Sequence, residues 1–407
     1  MHPTTTGLIH HPYTPPDGFA APQPGVFKAS TVIFPNVAAM RARDWKQKHG
    51  YTYGLHGTPT TFLLEERIAA LEGGSQCVLV SSGLAAIANV NLALLKTGDE
   101  VLIPDNAYGP GKALAEGELA AWGITHQLYD AMDPSDLQAR INDRTRLVWL
   151  EAPGSVTMEF PPLAHHARIC RQRGITTALD NTWGAGLAFN GFDLGRGDRF
   201  TPGSGADIVV QALTKYPSGG GDVLMGSAVT RDEALHLKLK LTHMRLGLGI
   251  GANDAEAVLR ALPSMALRYR AQDEAARTLA AWLGRQPQVA RLLHPAFDGS
   301  PGHEHWRALC TSDGQGGDAG LAAGLFSVVF DGRYSAAQVD AFCDALKLFK
   351  LGYSWGGPVS LVVPYDVASM RVKWTHPGVL VRFSVGLEAV QDLQADLAEA
   401  LATLDAA

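Results

Sequence analysis

Hydrophobic and polar positions along this chain alternate as short apolar runs separated by amphipathic stretches. Five runs predict buried strands, namely "CVLVSSG", "EVLIPD", "RLVWLE", "ITTALD" and "DIVVQAL". Such short runs, with helix-like segments between some of them, are typical of parallel strands covered on both faces. The pattern therefore predicts an α/β fold, and ligands in such folds bind beyond the carboxyl ends of the strands.

Helical periodicity fills several gaps between these runs. In "TTFLLEERIAALEGG" the side chains of Leu64, Ile68 and Leu71 share one face, and Gly73-Gly74 ends the predicted helix. "LAAIANVNLALLKTGD" predicts a helix ended at Gly98, and "PPLAHHARICRQRG" predicts another. The order of strands and helices supports a sheet with helices on both faces.

The pattern changes after about Leu262. A helical segment, "ALRYRAQDEAARTLAAWLG", leads to the strand-like runs "GLFSVVF" and "VLVRFSVG". A last helix keeps five apolar residues on one face: Val390, Leu393, Leu397, Leu401 and Leu404. We expect a proline-rich N-terminal arm over residues 1–60, a large domain over 61–262 and a smaller α+β domain over 263–407.

Composition narrows the function classes. The 407 residues carry a formal charge of -6, and no block of lysine and arginine suggests a nucleic-acid surface. The first residues lack the basic start and apolar core of a signal peptide, so export is not predicted. No apolar run reaches the roughly 18 residues that a membrane span needs. We expect a cytoplasmic protein that binds neither nucleic acid nor membrane. The dispersed cysteines (Cys77, Cys170, Cys310, Cys343) are interpreted as small buried hydrophobes.

Candidate chemistry follows three predicted strands. "SSGLAAI" opens a helix, so the backbone N–H groups of Gly83 and Leu84 could hold a phosphate. Asp180 ends "ITTALD", and Lys215 closely follows "DIVVQAL". A phosphate cradle, an aspartate and a lysine are the parts that hold pyridoxal phosphate. Each residue also has a plainer interpretation, as a turn and cap, a helix cap or loop residue, or a lysine reaching solvent.

Longer motifs favour the cofactor-binding interpretation of these residues, because they resemble a known family. "TKYPSGGGDVLMGSAV", "LDNTWGAGLAFN", "LEAPGSVTMEF", "YGLHGTPTTFLLEERIAALEGG" and "YSWGG" resemble the Cys/Met-metabolism family of pyridoxal-phosphate (PLP) enzymes, from about Tyr51 to the last helix. The resemblance implies the fold type I, PLP-dependent transferase-like architecture with a mainly parallel seven-stranded sheet. It also implies pyridoxal 5'-phosphate covalently bound to Lys215, and a homotetramer with sites at dimer interfaces.

The resemblance assigns roles to the cofactor-binding residues. Lys215 forms the Schiff base and is the base that takes the α-proton, and Asp180 keeps the pyridine nitrogen protonated. Tyr108 stacks on the cofactor ring. Gly83 and Leu84 supply backbone phosphate donors, with the Thr214 hydroxyl beside them.

Substrate contacts are implied in the same way. Arg382 matches the arginine that binds the substrate α-carboxylate bidentately. Ser354 lies where a second carboxylate contact is expected, and Trp355 follows it. Tyr53 matches a tyrosine that reaches the phosphate and substrate of the neighbouring subunit.

One position departs from the family pattern. Leu55 occupies the place of an arginine that grips the cofactor phosphate across the dimer. His56, Arg41 or Arg43 could substitute, or the helix dipole and hydroxyls could suffice. We expect weaker cofactor retention than in relatives that keep the arginine.

The expected reaction is β-elimination from a thioether amino acid such as L-cystathionine. The stretch around Ser155 and the tryptophan at Trp355 resemble the β-lyase form, whereas Pro358-Val359 departs from it. A γ-lyase or γ-replacing synthase, and a non-catalytic protein on the PLP scaffold, remain alternatives.

Several other residues have plainer interpretations. The histidines of "GHEHW" (His303, His305) and the pair His165-His166 lack HExxH spacing, so surface or helix-face positions are favoured over a metal site. Trp149 and Trp183 flank predicted site strands, where packing is at least as good an explanation as substrate contact.

Overall fold

The structure is a computed structural model that describes residues 5–46, 48, 50–195, 204–311, 319–371, 373–374 and 376–406. Its larger sheet has seven strands in the order β1-β7-β6-β5-β4-β2-β3. These are β1 Gln76–Val80, β2 Glu100–Pro104, β3 Thr125–Tyr129, β4 Thr145–Glu151, β5 Thr176–Asp180, β6 Ile208–Ala212 and β7 Gly226–Thr230. All run parallel except β7, which is antiparallel to both of its neighbours.

Helices lie before, between and after these strands. They are α1 Thr5–Ile9, α2 Val37–Arg41, α3 Pro59–Glu72, α4 Gly83–Leu94, α5 Gly109–Leu114, α6 Pro134–Arg140, α7 Leu163–Gln172 and α8 Glu233–Leu246. Short 3-10 and π turns cover Gly54–His56 and Ala115–Leu119. Two apolar clusters, which include residues from opposite sides of the strands, confirm the α/β architecture predicted from the sequence.

A second, five-stranded sheet has the order β10-β11-β12-β9-β8. Its strands are β8 Val289–Leu293, β9 Leu325–Phe330, β10 Lys350–Leu351, β11 Leu361–Tyr365 and β12 Leu380–Ser384. The accompanying helices are α9 Ala252–Leu283, α10 His303–Cys310, α11 Ala336–Ala345 and α12 Val390–Ala406, with a 3-10 turn at Val367–Ser369. The apolar face predicted for the last helix packs in this sheet's own cluster, through residues such as Leu393 and Leu397.

Helix α9 joins the two sheets. Its first half places Val258, Leu262 and Tyr269 in the larger cluster. Its second half places Leu279 and Leu283 in the cluster of the smaller sheet. The same 32-residue helix therefore belongs to both cores.

Three sequence expectations differ from the structure. Helix α4 ends at Leu94 rather than reaching Gly98, because the Asp99 carboxylate accepts the Lys96 backbone N–H 2.8 Å away and holds a turn. Strands β3 and β7 are not among the five strands predicted from the sequence. The helix predicted from Ala266 begins at Ala252, and Pro263 lies inside it.

The N-terminal segment is mostly irregular, as its prolines suggest. Its first helix still buries Leu8, which is 7% exposed and part of the larger apolar cluster. Farther along, Thr31 forms an isolated antiparallel bridge with Tyr53. Within the described ranges, no helix combines the length and apolar character needed to cross a bilayer.

Candidate active site

The candidate site lies at the carboxyl ends of the neighbouring strands β4, β5 and β6. Strand β4 ends at Glu151 and strand β5 ends at Asp180, and the two residues are in-register partners. Strand β6 runs parallel to β5 and leads to Lys215 three residues after its end. The carboxyl edge of the sheet thus collects acidic and basic side chains, as expected for α/β folds.

Lys215 points at a loop of the second sheet. Its Nζ donates a hydrogen bond to Ser354 Oγ at 2.7 Å and lies 5.5 Å from the centre of the Trp355 ring. Burial, helped by the charge of Arg382 and opposed by that of Asp180, lowers the pKa of Lys215 to about 8. A half-desolvated ammonium with this pKa is a usable base near neutral pH.

Asp180 is held by a short relay of hydrogen bonds. Its Oδ1 accepts from the Thr182 backbone N–H at 3.0 Å and from the Thr182 hydroxyl at 2.5 Å. The Thr182 hydroxyl in turn accepts from the Ala212 N–H at 2.9 Å. Desolvation raises the pKa of Asp180, whereas the bonds to Thr182 and the charge of Lys215 lower it. A cationic group bound against Asp180 would keep the carboxyl ionised.

Glu151 is a site residue that the sequence reasoning missed. Its Oε2 accepts the backbone N–H of Tyr108 at 2.9 Å, just before α5 begins. Desolvation, reinforced by the charge of Asp180, raises the pKa of Glu151 well above its ordinary value. The Tyr108 side chain is 42% exposed, so it remains open to a ligand. The signal was available, because Glu151 ends "RLVWLE" as Asp180 ends "ITTALD".

Arg382 lies in the middle of β12 and is 7% exposed. Its Nη1 donates to the Ser155 carbonyl at 3.1 Å, and its guanidinium carbon lies 5.2 Å from the Tyr365 ring centre. Burial lowers the pKa of Arg382, and the nearby tyrosines act in the opposite direction. Arg382 forms no ion pair with any residue that the structure describes. A buried guanidinium with free donors suits a carboxylate ligand.

The start of α4 forms a close backbone cradle. Ser82 caps the helix by accepting the Ala85 N–H at 3.0 Å, so the cap bond does not go to Gly83 or Leu84. A Cβ on Gly83 would lie 2.7 Å from the Ala212 Cβ, and one on Gly226 would lie 2.2 Å from the Ser82 carbonyl oxygen. The glycines are thus needed for the close approach of these strand and helix ends.

Thr214 lies beside this cradle and is hydrogen-bonded to the backbone of Met225, just before β7. Its hydroxyl accepts the Met225 N–H at 3.1 Å and lies 3.3 Å from the Met225 carbonyl. The donors of the helix N-terminus and the Thr214 hydroxyl, the acceptor Asp180 and the amine of Lys215 together fit a phosphorylated pyridine aldehyde.

The loop that carries Ser354 and Trp355 is held in place by contacts with Tyr216 and helix α9. Gly356 has φ +78°, and a Cβ there would lie 3.0 Å from the Tyr216 nitrogen, so the position favours glycine. The Gly357 carbonyl accepts from Gln272 Nε2 of α9 at 2.7 Å. The ring of Trp355 packs edge-on against Tyr216, with centroids 5.5 Å apart.

Some predicted site residues lie elsewhere. Tyr53 is 46% exposed and contacts Thr31 and His56 of its own arm rather than Lys215. Trp149 is buried, and its Nε1 donates to Asn91 Oδ1 at 3.0 Å. Trp183 is 5% exposed in the larger apolar cluster. Both tryptophans therefore have packing roles.

Histidines and cysteines are placed as follows. His166 is buried against Tyr129, and His303 pairs with Asp298 at 2.9 Å. Among the described residues, no group of three His, Cys, Asp or Glu side chains is arranged to hold a metal ion. All four cysteines are buried. Val359 is 49% exposed beside the site loop.

A desolvated lysine, a strand-end aspartate and a glycine cradle on the larger sheet, with a buried arginine on the smaller sheet, define the class of PLP-dependent enzymes. Comparison with known proteins agrees: the profile described as "Cys/Met metabolism PLP-dependent enzyme" matches residues 5–402. The chain belongs to this family of PLP-dependent enzymes. Its activity class is that of a lyase.

Named relatives cover nearly the whole chain. It is 37% identical to the cystathionine beta-lyase of Bordetella avium, over 97% of this chain and 96% of that one. It is 31% identical to the L-methionine gamma-lyase of Pseudomonas putida, over 97% and 96%. It is also 31% identical to an L-alanine/L-glutamate racemase of Wolbachia pipientis, over 92% and 91%.

A solved structure gives the same picture of the fold. The crystal structure of cystathionine gamma synthase from Xanthomonas oryzae pv. oryzae, in complex with aminoacrylate and cysteine, superposes with a TM-score of 0.84. The two sequences are 27% identical, and the match covers 99% of this chain and 98% of the solved one. Fold type I architecture is thereby confirmed, while reactions differ among these relatives.

Proposed function

We propose that this protein is a C–S β-lyase that cleaves L-cystathionine to homocysteine, pyruvate and ammonia, with water as the second reactant. The observation that carries the proposal is that Lys215 and Asp180 lie at the carboxyl edge of the larger sheet, with Arg382 of the smaller sheet near enough for its charge to act on Lys215. The 37% identity to a relative named cystathionine beta-lyase supports this reaction over the alternatives. The protein would then serve methionine biosynthesis, and other cysteine S-conjugates are further candidate substrates.

The cofactor in this proposal is pyridoxal 5'-phosphate, attached covalently at Lys215. When bound, it supplies an electron sink for the carbanion formed at the substrate α-carbon. Asp180 would hold the proton of the pyridine nitrogen, and the backbone N–H groups of Gly83 and Leu84 would bind the phosphate with help from Thr214. Tyr108 would pack against the ring.

The substrate-directed steps belong to the protein's own side chains. Arg382 binds the α-carboxylate with its two-pronged guanidinium, oriented by the Ser155 carbonyl. Lys215 takes the α-proton, because its lowered pKa leaves a large neutral fraction near pH 8. Ser354 lies 2.7 Å from the Lys215 amine and orients it for this transfer. Trp355 shields the amine from water on its other side.

Assembly completes the proposed site. We propose a homotetramer built from dimers, in which Tyr53 reaches the neighbouring subunit's cofactor and substrate. The 46% exposure of Tyr53 in a single chain is consistent with such a contact. A strictly monomeric active enzyme in sedimentation would rule out this role for Tyr53. The proposed location is the cytoplasm.

The deciding experiment incubates the purified protein and added pyridoxal phosphate with L-cystathionine and identifies the products. Pyruvate with homocysteine is expected. Oxobutyrate with cysteine would replace the proposal by γ-elimination, the activity named in the Pseudomonas putida relative. Unchanged cystathionine from a protein that binds pyridoxal phosphate would keep the cofactor site and reject the substrate. A protein that never develops cofactor absorbance would support a non-catalytic role.

A further inference from the structure

A second cavity lies apart from the candidate active site, between the N-terminal arm, the start of α3 and helix α8. Its polar lining comes from His56, Thr61, Glu65, His236, Lys240 and His243. The backbone of residues 54–57 closes one side. The cavity is small, with room for a few heavy atoms rather than an amino acid.

Lys240 is the unusual member of this lining. The residue is 5% exposed, and its Nζ is buried without a hydrogen-bond partner among the described residues. It also forms no ion pair in that part of the chain. Burial lowers the pKa of Lys240, although the more distant carboxylates of Glu65 and Asp44 oppose the shift. A buried ammonium with no acceptor is costly, so its persistence points to a missing acceptor.

The nearby acid is already neutralised. Glu65 pairs with Lys48 at 2.6 Å, and the ammonium groups of Lys48 and Lys240 both lie 5.8 Å from the centre of the Phe62 ring. Lys48, Lys240 and Glu65 together leave one positive charge. The ring and the paired acid are therefore insufficient to balance the second lysine.

Three neutral histidines surround this charge. Burial lowers the pKa of His236 to about 4, and it also lowers the pKa values of His56 and His243. These imidazoles are therefore uncharged near pH 7 and add no repulsion or attraction of their own. His236 is 7% exposed, and its Nε2, like Lys240 Nζ, has no partner among the described residues. Two buried, unpartnered nitrogens thus line one cavity.

We infer that this cavity binds a small inorganic oxyanion of the phosphate class, with Lys240 Nζ and His236 Nε2 as its principal contacts. Water could accept a hydrogen bond from Lys240 but would leave its charge unbalanced. A hydrogen phosphate ion balances the charge, accepts from Lys240 Nζ and donates its P–OH to His236 Nε2, because neutral His236 gives its one ring proton to the Cys77 backbone. Since the cavity wall includes residues 54–57, a bound anion would also fasten the arm to α8.

The test uses the full chain loaded with pyridoxal phosphate, so that the cofactor site is filled. Its thermal midpoint is measured against inorganic phosphate at constant pH and ionic strength, with chloride as the replacement. We expect a saturable rise in the wild type. Lys240→Met should melt higher than the wild type without phosphate, because a buried unpaired charge is removed, and should not respond to phosphate. Lys238→Met, on the exposed face of the same helix, should respond like the wild type.

If Lys240→Met does not fold, a second variant still tests the proposed site. His236→Leu removes the acceptor for the P–OH group and should weaken phosphate binding, measured by calorimetry, by roughly 10-fold. No saturable response in the wild type, or an equal response in Lys240→Met, would overturn the inference and leave water as the occupant. Neither result bears on the products formed from cystathionine, so this inference and the proposed function fail separately.

Discussion

Lys215 Nζ and Ser354 Oγ lie 2.7 Å apart although 139 positions separate the two residues. Lys215 follows β6 of the larger sheet, and Ser354 precedes β11 of the smaller one. The hydrogen bond therefore joins the two halves of the molecule at the amine proposed to do the chemistry. A substitution at either end should be felt in the reaction.

Ser354→Ala should lower kcat/KM for cystathionine by about 3- to 10-fold, because the loss of one neutral hydrogen bond is worth about 1 kcal/mol. The loss should appear in kcat more than in KM, since Ser354 orients the base. Steady-state kinetics measures both constants. Tyr353→Phe is the matched control, because Tyr353 is 83% exposed and adjacent in sequence. An unchanged kcat in Ser354→Ala would contradict the positioning role.

Lys215 should react as a neutral amine at unusually low pH. In cofactor-free protein, its reaction with trinitrobenzenesulfonate, followed by peptide mass spectrometry, should rise through an apparent pKa of about 8. A free peptide lysine, with a pKa of about 10.4, is the reference. The depressed pKa means that the neutral, reactive form already dominates at pH 9.

Two variants test the causes of this shift in opposite directions. Arg382→Met removes a charge that lowers the pKa, so the Lys215 profile should move to higher pH. Asp180→Asn removes a charge that raises the pKa, so the profile should move to lower pH. An unchanged profile in both variants would show that burial alone sets the pKa, and shifts of the same sign would contradict the opposite roles of the two charges.

Glu151→Gln should stabilise the protein near pH 7 while keeping an acceptor for the Tyr108 N–H. The raised pKa means that the folded state holds a proton that the unfolded state loses. Wild-type stability should therefore fall, relative to Glu151→Gln, as pH rises above the unfolded value of about 4.3. Denaturant unfolding at several pH values measures the difference.

Glu151→Leu is the contrasting change. It removes both the carboxyl group and the acceptor for Tyr108, so cofactor affinity should fall as the ring loses its anchor. Equal cofactor affinity in the Gln and Leu variants would mean that the hydrogen bond does not position Tyr108.

Leu55→Arg should slow cofactor loss, because it restores a cation where the family resemblance places a phosphate-binding arginine. Dialysis against phosphate buffer, followed by cofactor absorbance, measures the rate. Leu55→Met is the size control, and it should lose cofactor as the wild type does. Equal rates in all three proteins would show that the helix end, Thr214 or another cation already suffices.

Much of this arrangement could be predicted from sequence. Buried parallel strands show as continuous apolar runs, and this made β1, β2, β4, β5 and β6 visible. Asp180 and Lys215 were found because each follows such a run. Glu151 ends its apolar run as Asp180 does, but its bond to the backbone N–H of Tyr108 leaves no mark in the residue pattern.

Other features depend on contacts far apart along the chain. Strand β7 is short and opens with glycine and serine, and it is stabilised by pairing on both sides rather than by its own propensity. The bond from Gln272 to the Gly357 carbonyl fixes the Trp355 loop across 85 positions. No local pattern predicts such a partner.

Helix α9 has a consequence for how the molecule comes apart. At about 1.5 Å per residue its 32 residues span roughly 48 Å, and each end is embedded in a different apolar cluster. Unfolding of either cluster would expose the apolar face of half of the helix to water. It would also weaken the hydrogen bond from Gln272 to the Gly357 carbonyl. The two sheets are therefore expected to unfold in a single cooperative transition, with loss of the Lys215 environment at its onset.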